Sequence, residues 1–184
     1  MSGPTGPGGR LLPAADWEGD DHTPGAGGSF VTCGDASAGR AVAWATNGRV
    51  DKDGSVYRAV TKDPDGITLQ QLRTEVKAIA SLDLVIPTGW AWGNCSFHLS
   101  SGIGLIVQGT YSALPEAYRQ QAGADFTHDM FACYRSTSGA KSVLLYDPLQ
   151  RDTHAHGRWI PAAALRKFIE SGGVTVAYLP NQPL

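Results

Sequence analysis

The segment from Ser29 to Trp44 constrains this chain more than any other stretch, because it joins a reactive residue type to a well-marked helix. A glycine-rich approach ends in Cys33, and small residues with helical spacing follow at once. The pair Asn47-Gly48 supplies a stop signal, so the pattern predicts a helix that begins at the cysteine. The N-terminus of a helix carries partial positive charge, which favours a thiolate placed there. Cys33 is therefore a candidate nucleophile.

Composition limits the class of protein and its partners. The chain has 184 residues with 42% hydrophobic content and a formal net charge of −2, which indicates one globular domain. The lack of a basic run argues against nucleic acid as a partner. No run of about 18 apolar residues and no signal region is present, so we expect synthesis in a cytoplasm and no membrane partner. Three cysteines without a C-x-x-C pair indicate neither a disulfide framework nor structural zinc, and we expect no cofactor.

The N-terminal segment differs from the rest of the chain. Residues 1–29 are rich in glycine and proline and contain one apolar cluster, Leu11-Leu12-Pro13. Such a segment cannot bury enough apolar surface to fold alone. We therefore predict an extended arm over residues 1–29, tied down by a neighbouring protein, and one domain over residues 30–184.

The remaining elements follow from periodicity and punctuation. Thr68 and Gln71 form a capping-box pattern ahead of an apolar stripe, which predicts a helix. Pro161 and Gly172-Gly173 bracket a second helix. The turn signatures of residues 49–66 predict loops, and residues 83–94 read as irregular. Apolar runs predict strands over residues 103–109, 126–134, 142–146 and 174–179. This order predicts an α+β fold with an antiparallel sheet.

One predicted hairpin brings two chemically useful side chains together. A turn centred near Ser138-Gly139 places His128 opposite residue 149 and diagonal to Asp147. Diagonal neighbours on one face of an antiparallel pair are about 7–8 Å apart, within reach of these side chains. An imidazole oriented by a carboxylate can take a proton from a thiol. Cys33, His128 and Asp147 are thus the predicted catalytic residues.

Short motifs between about residue 28 and residue 179 carry a family resemblance. The first is Cys33-x-x-Ala36-Ser37-x-x-x-Ala41 with Thr46-x-Gly48 behind it. The others are Thr68-Leu69-x-x-Leu72, Gly104-Leu105-Ile106-Val107-Gln108-Gly109-x-Tyr111, Phe126-x-His128, Tyr146-Asp147-Pro148-Leu149 and Gly157-x-Trp159-Ile160-Pro161. Together they resemble papain-like cysteine peptidases of the bacteriocin-leader-processing type, and more closely the versions encoded among tail and lysis genes of actinobacterial phages.

The resemblance implies a fold, an activity and a location. It implies an α+β papain-like fold in which an N-terminal nucleophile helix packs on the antiparallel sheet. It implies that Cys33 is the nucleophile, His128 the base and Asp147 the residue that orients the base. It also implies a place in a phage virion as a minor tail protein. The substrate is then a peptide or the peptidoglycan of the host cell wall, and other virion proteins are partners through the arm.

Two departures from the family pattern support a second hypothesis. Papain-like enzymes usually carry a glutamine shortly before the cysteine to help hold the oxyanion, and residues 25–32 contain none. Ser29, Thr32 or backbone amides are candidate substitutes. Asp35 opposes thiolate formation if it lies close to the sulfur. The alternative function is therefore a catalytically idle structural virion protein that keeps the fold.

Other candidate sites are weaker. Cys95 also precedes His128 and Asp147 but lacks a long helix behind it, and Cys133 falls on the strand face opposite His128. Solvated loops explain both the Asp51-Lys52-Asp53-Gly54 turn and the pair His154 and His156 better than a calcium loop or a metal site. Trp90 and Trp92 allow a third hypothesis, a carbohydrate- or peptide-binding module, although core packing explains them more simply.

Overall fold

The computed structural model describes residues 33–52, 54–61, 67–119, 123, 125–136, 141–149 and 157–183. The predicted arm over residues 1–29 and the pair His154 and His156 lie outside the described residues, so the division into arm and domain stays a prediction. Within the described part of the chain, no helix has both the length and the apolar character needed to cross a membrane.

Among the described elements, the first half of the chain is helical and the second half consists mainly of strands. The helices are α1 (Cys33–Thr46), α2 (Gly54–Thr61), α3 (Leu69–Ala80), α4 (Trp92–Ser100) and α5 (Ala162–Ser171). The strands are β1 (Leu105–Thr110), β2 (Thr127–Arg135), β3 (Ser142–Tyr146), β4 (Arg158–Pro161) and β5 (Thr175–Tyr178). Two short 3-10 turns, Tyr111–Ala113 and Glu116–Tyr118, follow β1.

The strands form one antiparallel sheet in the order β4-β3-β2-β1-β5, with helices on both faces. Because successive side chains in a strand point to opposite faces, the strands contribute alternately to two cores. Ile106, Phe131 and Tyr146 pack against α1, α2 and α3 on one face. Val107, Met130 and Leu145 pack with α4 and α5 on the other. The predicted α+β fold with an antiparallel sheet is confirmed.

Helix α1 lies at the centre of the first core. Every residue from Gly34 to Thr46 is buried, and most of the side chains are small enough for neighbouring elements to approach closely. A Cβ added at Gly54 would lie 2.8 Å from the backbone nitrogen of Ala36, so α2 begins directly against α1. The helix ends where Asn47 and Gly48 adopt positive φ angles of 53° and 77°. The predicted helix from the cysteine to Asn47-Gly48 is confirmed.

The capping box of α3 is also confirmed. The Thr68 hydroxyl oxygen accepts a hydrogen bond from the backbone N–H of Gln71, and the Gln71 side-chain oxygen accepts one from the backbone N–H of Thr68. The apolar stripe that follows places Leu72 and Val76 in the first core.

Three segments differ from the sequence-based expectations. Residues 54–61, expected as loop, form α2 because tertiary packing buries Tyr57 completely. Helix α4 begins at Trp92, inside a segment expected to be irregular, because the Asn94 side chain accepts a hydrogen bond from the Ala91 N–H and caps the first turn. Strand β4 is not predicted from the sequence, since four residues give little periodicity.

The β2–β3 hairpin has the predicted register. Phe131 pairs with Tyr146, Ala132 with Leu145 and Cys133 with Leu144. A bulge follows at Tyr134, whose φ angle is 42°. Before the bulge, the pairing places His128 and Asp147 on the same face of the sheet, as expected from the turn position.

Candidate active site

Cys33 is the first residue of α1 and is partly exposed, whereas the rest of the helix is buried. The helix packs against β2, so the sulfur lies beside the first residues of that strand. The Cys33 side chain interacts with the imidazole of His128, and its Sγ lies 4.0 Å from Oδ2 of Asp129. The thiol therefore lies between an imidazole and a carboxyl group at the positive end of a helix.

His128 and Asp147 form a buried pair at the start of β2 and the end of β3. The distance between His128 Nε2 and Asp147 Oδ1 is 2.7 Å, and the imidazole is 0% exposed. The Tyr111 hydroxyl donates to Asp147 Oδ2 at 2.9 Å, and the Leu149 backbone N–H donates to Oδ1 at 2.9 Å. These donors fix the carboxylate, which in turn fixes the ring. Because Nε2 faces the carboxylate, Nδ1 is the imidazole nitrogen that can exchange a proton with Cys33.

Two aromatic rings enclose the imidazole. Tyr111 and Phe126 stack on each other with centroids 5.2 Å apart, and both meet the His128 ring edge to face at 5.0 Å and 5.5 Å. Phe126 is 36% exposed, so one side of this aromatic pair faces solvent while the other covers the histidine. Excluding water lowers the local dielectric and strengthens the ion pair beneath.

The pKa values of the pair move in opposite directions. Burial by itself lowers the pKa of His128, but the Asp147 carboxylate and the Cys33 side chain raise it, to about 10. Burial raises the pKa of Asp147, but the facing imidazole and the hydrogen bonds outweigh it and bring the pKa below 3.8. At neutral pH the site therefore contains an imidazolium and a carboxylate. An imidazolium is the partner that a thiolate needs.

A second polar pair, Asp129 and Gln108, lies on the opposite face of β2 from His128. The Gln108 amide donates to Asp129 Oδ1 at 3.1 Å. Burial raises the pKa of Asp129 to about 6, against the Gln108 hydrogen bond and the nearby His128, which both lower it. This pair is not predicted from the sequence. The signal in the sequence was the position of Asp129 directly after His128 in a strand. Because successive side chains of a strand point to opposite faces, residue 129 points toward α1.

Asp35 interacts with Glu75 of α3, in the interior between α1 and α3. Both carboxyl groups are buried, and the Thr61 hydroxyl donates a short hydrogen bond to Glu75. Burial, with a further contribution from Asp35, raises the pKa of Glu75 to about 8 even though the Thr61 hydrogen bond lowers it. Asp35 therefore interacts between helices α1 and α3, and its predicted opposition to a thiolate at Cys33 stays a prediction.

The rival cysteines are packed into the two cores. Cys95 is buried in α4, and burial raises the pKa of its thiol to about 11. Cys133 is buried on the face opposite His128, as predicted, and burial raises its pKa well above the usual value. Neither environment favours a thiolate.

The described residues of the remaining candidates pack against the second core or begin a helix. Trp90 is half-buried and stacks on Tyr178 with centroids 5.5 Å apart, and Trp90 and Trp92 both pack against the second core. Gly54 of the supposed calcium loop begins α2. Among the described residues, no group of three or more histidine, cysteine or acidic side chains could hold a metal ion.

Comparison with known proteins identifies the fold. No family model matches the chain, and no curated protein matches its sequence. A solved structure described as a "putative C39-like peptidase" from Bacillus anthracis superposes with a TM-score of 0.60 at 11% sequence identity. The match covers 91% of this chain and 97% of that chain. The mixed helices and five-stranded antiparallel sheet of this protein therefore share the fold of that C39-like structure.

Proposed function

We propose that this protein is a papain-like cysteine peptidase in which Cys33 is the nucleophile, His128 the base and Asp147 the residue that orients the base. The observation that carries the proposal is the 2.7 Å contact between His128 Nε2 and Asp147 Oδ1, with the thiol at the start of α1 beside the same imidazole. These are the parts and the order of contacts that nucleophilic catalysis by a thiol requires.

The reaction follows from this arrangement. The Cys33 sulfur attacks the carbonyl carbon of a peptide bond, and His128 donates its Nδ1 proton to the leaving amine. This gives a thioester on Cys33. His128 then takes a proton from a water molecule, which attacks the thioester and releases the acid product and the Cys33 thiolate. An N–H group in the first turn of a helix has no acceptor within that helix, and we propose that the backbone N–H of Cys33 stabilises the oxyanion. Residues 25–32, where the family has its glutamine, lie outside the described residues.

The biological setting is proposed from the motifs alone. They support action on peptide bonds such as those of host cell-wall peptidoglycan, in a virion tail. The glycine- and proline-rich segment 1–29 supports contact with other virion proteins.

A second candidate function is an idle structural virion protein with the same fold. The observation that favours it is the carboxyl group of Asp129, 4.0 Å from the Cys33 sulfur, because negative charge there opposes a thiolate.

Peptide cleavage by the full chain tests the proposal. The protein is incubated with a mixture of unrelated short peptides and with solubilised cell-wall peptides, and the products are identified by mass spectrometry. We expect cleavage by the wild type and by Cys95→Ala, whose cysteine is buried in α4, and none by Cys33→Ala. Cleavage that survives Cys33→Ala, or no cleavage of either mixture by the wild type, contradicts the proposed function.

A further inference from the structure

The carboxyl group of Asp129 lies against the first turn of the nucleophile helix. Asp129 follows His128 in β2, so its side chain leaves the strand on the opposite face, toward α1. Its Oδ2 is 4.0 Å from the Cys33 sulfur, and a Cβ added at Gly34 would lie 3.2 Å from the same oxygen. The residue is only 4% exposed, so water screens its charge weakly.

Gln108 holds this carboxyl group in place. It is directly opposite Asp129 in the β1–β2 pairing, and its amide donates to Oδ1 at 3.1 Å. With Oδ1 occupied by the amide, Oδ2 is the oxygen that faces the sulfur. The other groups near this first turn include Ile67 and Leu72, which are apolar.

The charged neighbours of Asp129 are few. His128, its neighbour in β2, lowers the pKa of Asp129 through its positive charge and pairs with Asp147, and Cys33 faces Asp129 from α1. The next carboxyl groups, Asp35 and Glu75, belong to α1 and α3. Among the described residues, no lysine or arginine forms an ion pair with Asp129. The Cys33 sulfur and the Asp129 carboxylate are 4.0 Å apart, and His128 is the one cationic group described beside them. Repulsion between two negative charges at this distance therefore disfavours the state in which both groups are ionised.

We propose that Asp129, held by Gln108, is a positioning residue that competes with Cys33 for one negative charge and so restrains the nucleophile. The two arrangements differ by the position of one proton. In the restrained form the proton is on Sγ and Oδ2 is negative, and in the active form it has moved to Oδ2 and the sulfur is a thiolate. No further reactant takes part. The inference rests on Cys33 being the nucleophile of the proposed peptidase.

Removing the charge at position 129 gives the test. Asp129→Asn keeps the shape and the contact with Gln108 but leaves Cys33 as the sole group of the two that can become negative. Alkylation of Cys33 by iodoacetamide in the full-length protein is followed by mass spectrometry from about pH 5 to pH 9. We expect the rate at pH 6–7 to rise on the order of tenfold, corresponding to a shift of the pH profile by about one unit to lower pH.

A second variant keeps the inference testable if Asp129→Asn does not fold. Gln108→Leu removes the hydrogen bond that favours the ionised carboxylate, so negative charge moves toward the sulfur and labelling at pH 6–7 rises by a smaller factor. Buried Cys95 and Cys133 serve as internal references, because they label only if the protein opens.

Labelling profiles that superimpose on the wild type, or that shift to higher pH, overturn the inference. This readout needs no peptide, so it is separate from the test of the proposed function. Peptide cleavage together with an unchanged Asp129→Asn profile overturns this inference alone, and a shifted profile without any cleavage overturns the peptidase proposal alone.

Discussion

Replacing Asp147 with alanine is expected to lower the free energy of unfolding by about 3–5 kcal/mol near pH 6 and to abolish peptide cleavage. The change leaves a fully buried imidazolium without its counter-charge and removes the acceptor of the Tyr111 hydroxyl and of the Leu149 N–H. Asp147→Asn keeps the shape, so it separates the two effects. Its stability loss is expected to be smaller, but its rate of cleavage still falls about 10⁴-fold, because the amide cannot hold the correct form of the ring.

The pH dependence of this loss has a definite sign. The pKa of Asp147 is below its ordinary value of 3.8, so its stabilisation is present above about that pH and is lost as the pH falls further. The pKa of His128 is raised from 6.5 to about 10, so its stabilisation is complete below pH 6.5 and is lost as the pH rises toward 10. The difference in the free energy of unfolding between wild type and Asp147→Ala is therefore greatest between about pH 3.8 and pH 6.5, where both contributions are complete.

Urea unfolding of both proteins from about pH 3 to pH 10 checks this expectation. Asp83→Ala is a matched control, because Asp83 pairs with Lys77 at the surface and its loss should cost at most about 1 kcal/mol. A difference between wild type and Asp147→Ala that stays constant over this range would show that the charge pair does not stabilise the fold.

Replacing Glu75 with glutamine is expected to stabilise the protein by roughly 2–3 kcal/mol near pH 7. Glu75 is 0% exposed, and burial together with nearby Asp35 raises its pKa from 4.5 to about 8. Between these two pH values the folded protein keeps a proton that the unfolded chain releases, so rising pH favours unfolding. Glutamine is neutral at every pH and retains an oxygen to accept from the Thr61 hydroxyl.

Thermal unfolding at pH 4 and at pH 7.5 distinguishes this explanation from a packing effect. The stabilisation should be present at pH 7.5 and nearly absent at pH 4, where both the folded and unfolded chains hold the proton. Glu170→Gln, at an exposed residue paired with Arg166, is the control and should change little at either pH. Equal stabilisation at both pH values, or destabilisation at pH 7.5, would contradict the account.

Local signals were sufficient for much of the fold. The start of α1 at Cys33, its end at Asn47-Gly48 and the capping box at Thr68 depend on residues close in sequence, and all are observed. Helix α2 was missed because its formation depends on burying Tyr57 against distant elements rather than on its own polar sequence. A capped turn at Asn94 likewise outweighed the irregular appearance of the segment before it.

The same distinction applies to the site. The turn signature of the hairpin predicts the register with which β2 pairs with β3, so the proximity of His128 and Asp147 could be predicted from the sequence. The contacts of Asp129 with Gln108 and of Asp35 with Glu75 depend on the pairing of β1 with β2 and on the packing of α1 against α3. Neither arrangement follows from a local turn. The virion location and the role of residues 1–29 stay predictions.

The measurement that tests the central claim most directly is alkylation of Cys33 across pH in the wild type and in His128→Ala. If Cys33 and His128 form an activated pair, Cys33 labels rapidly near neutral pH and the rate falls at least about tenfold in the variant, because the facing positive charge is gone. The variant should then follow the pH profile of an ordinary thiol. Slow labelling with that ordinary profile in both proteins would contradict the account and support a structural role for the fold.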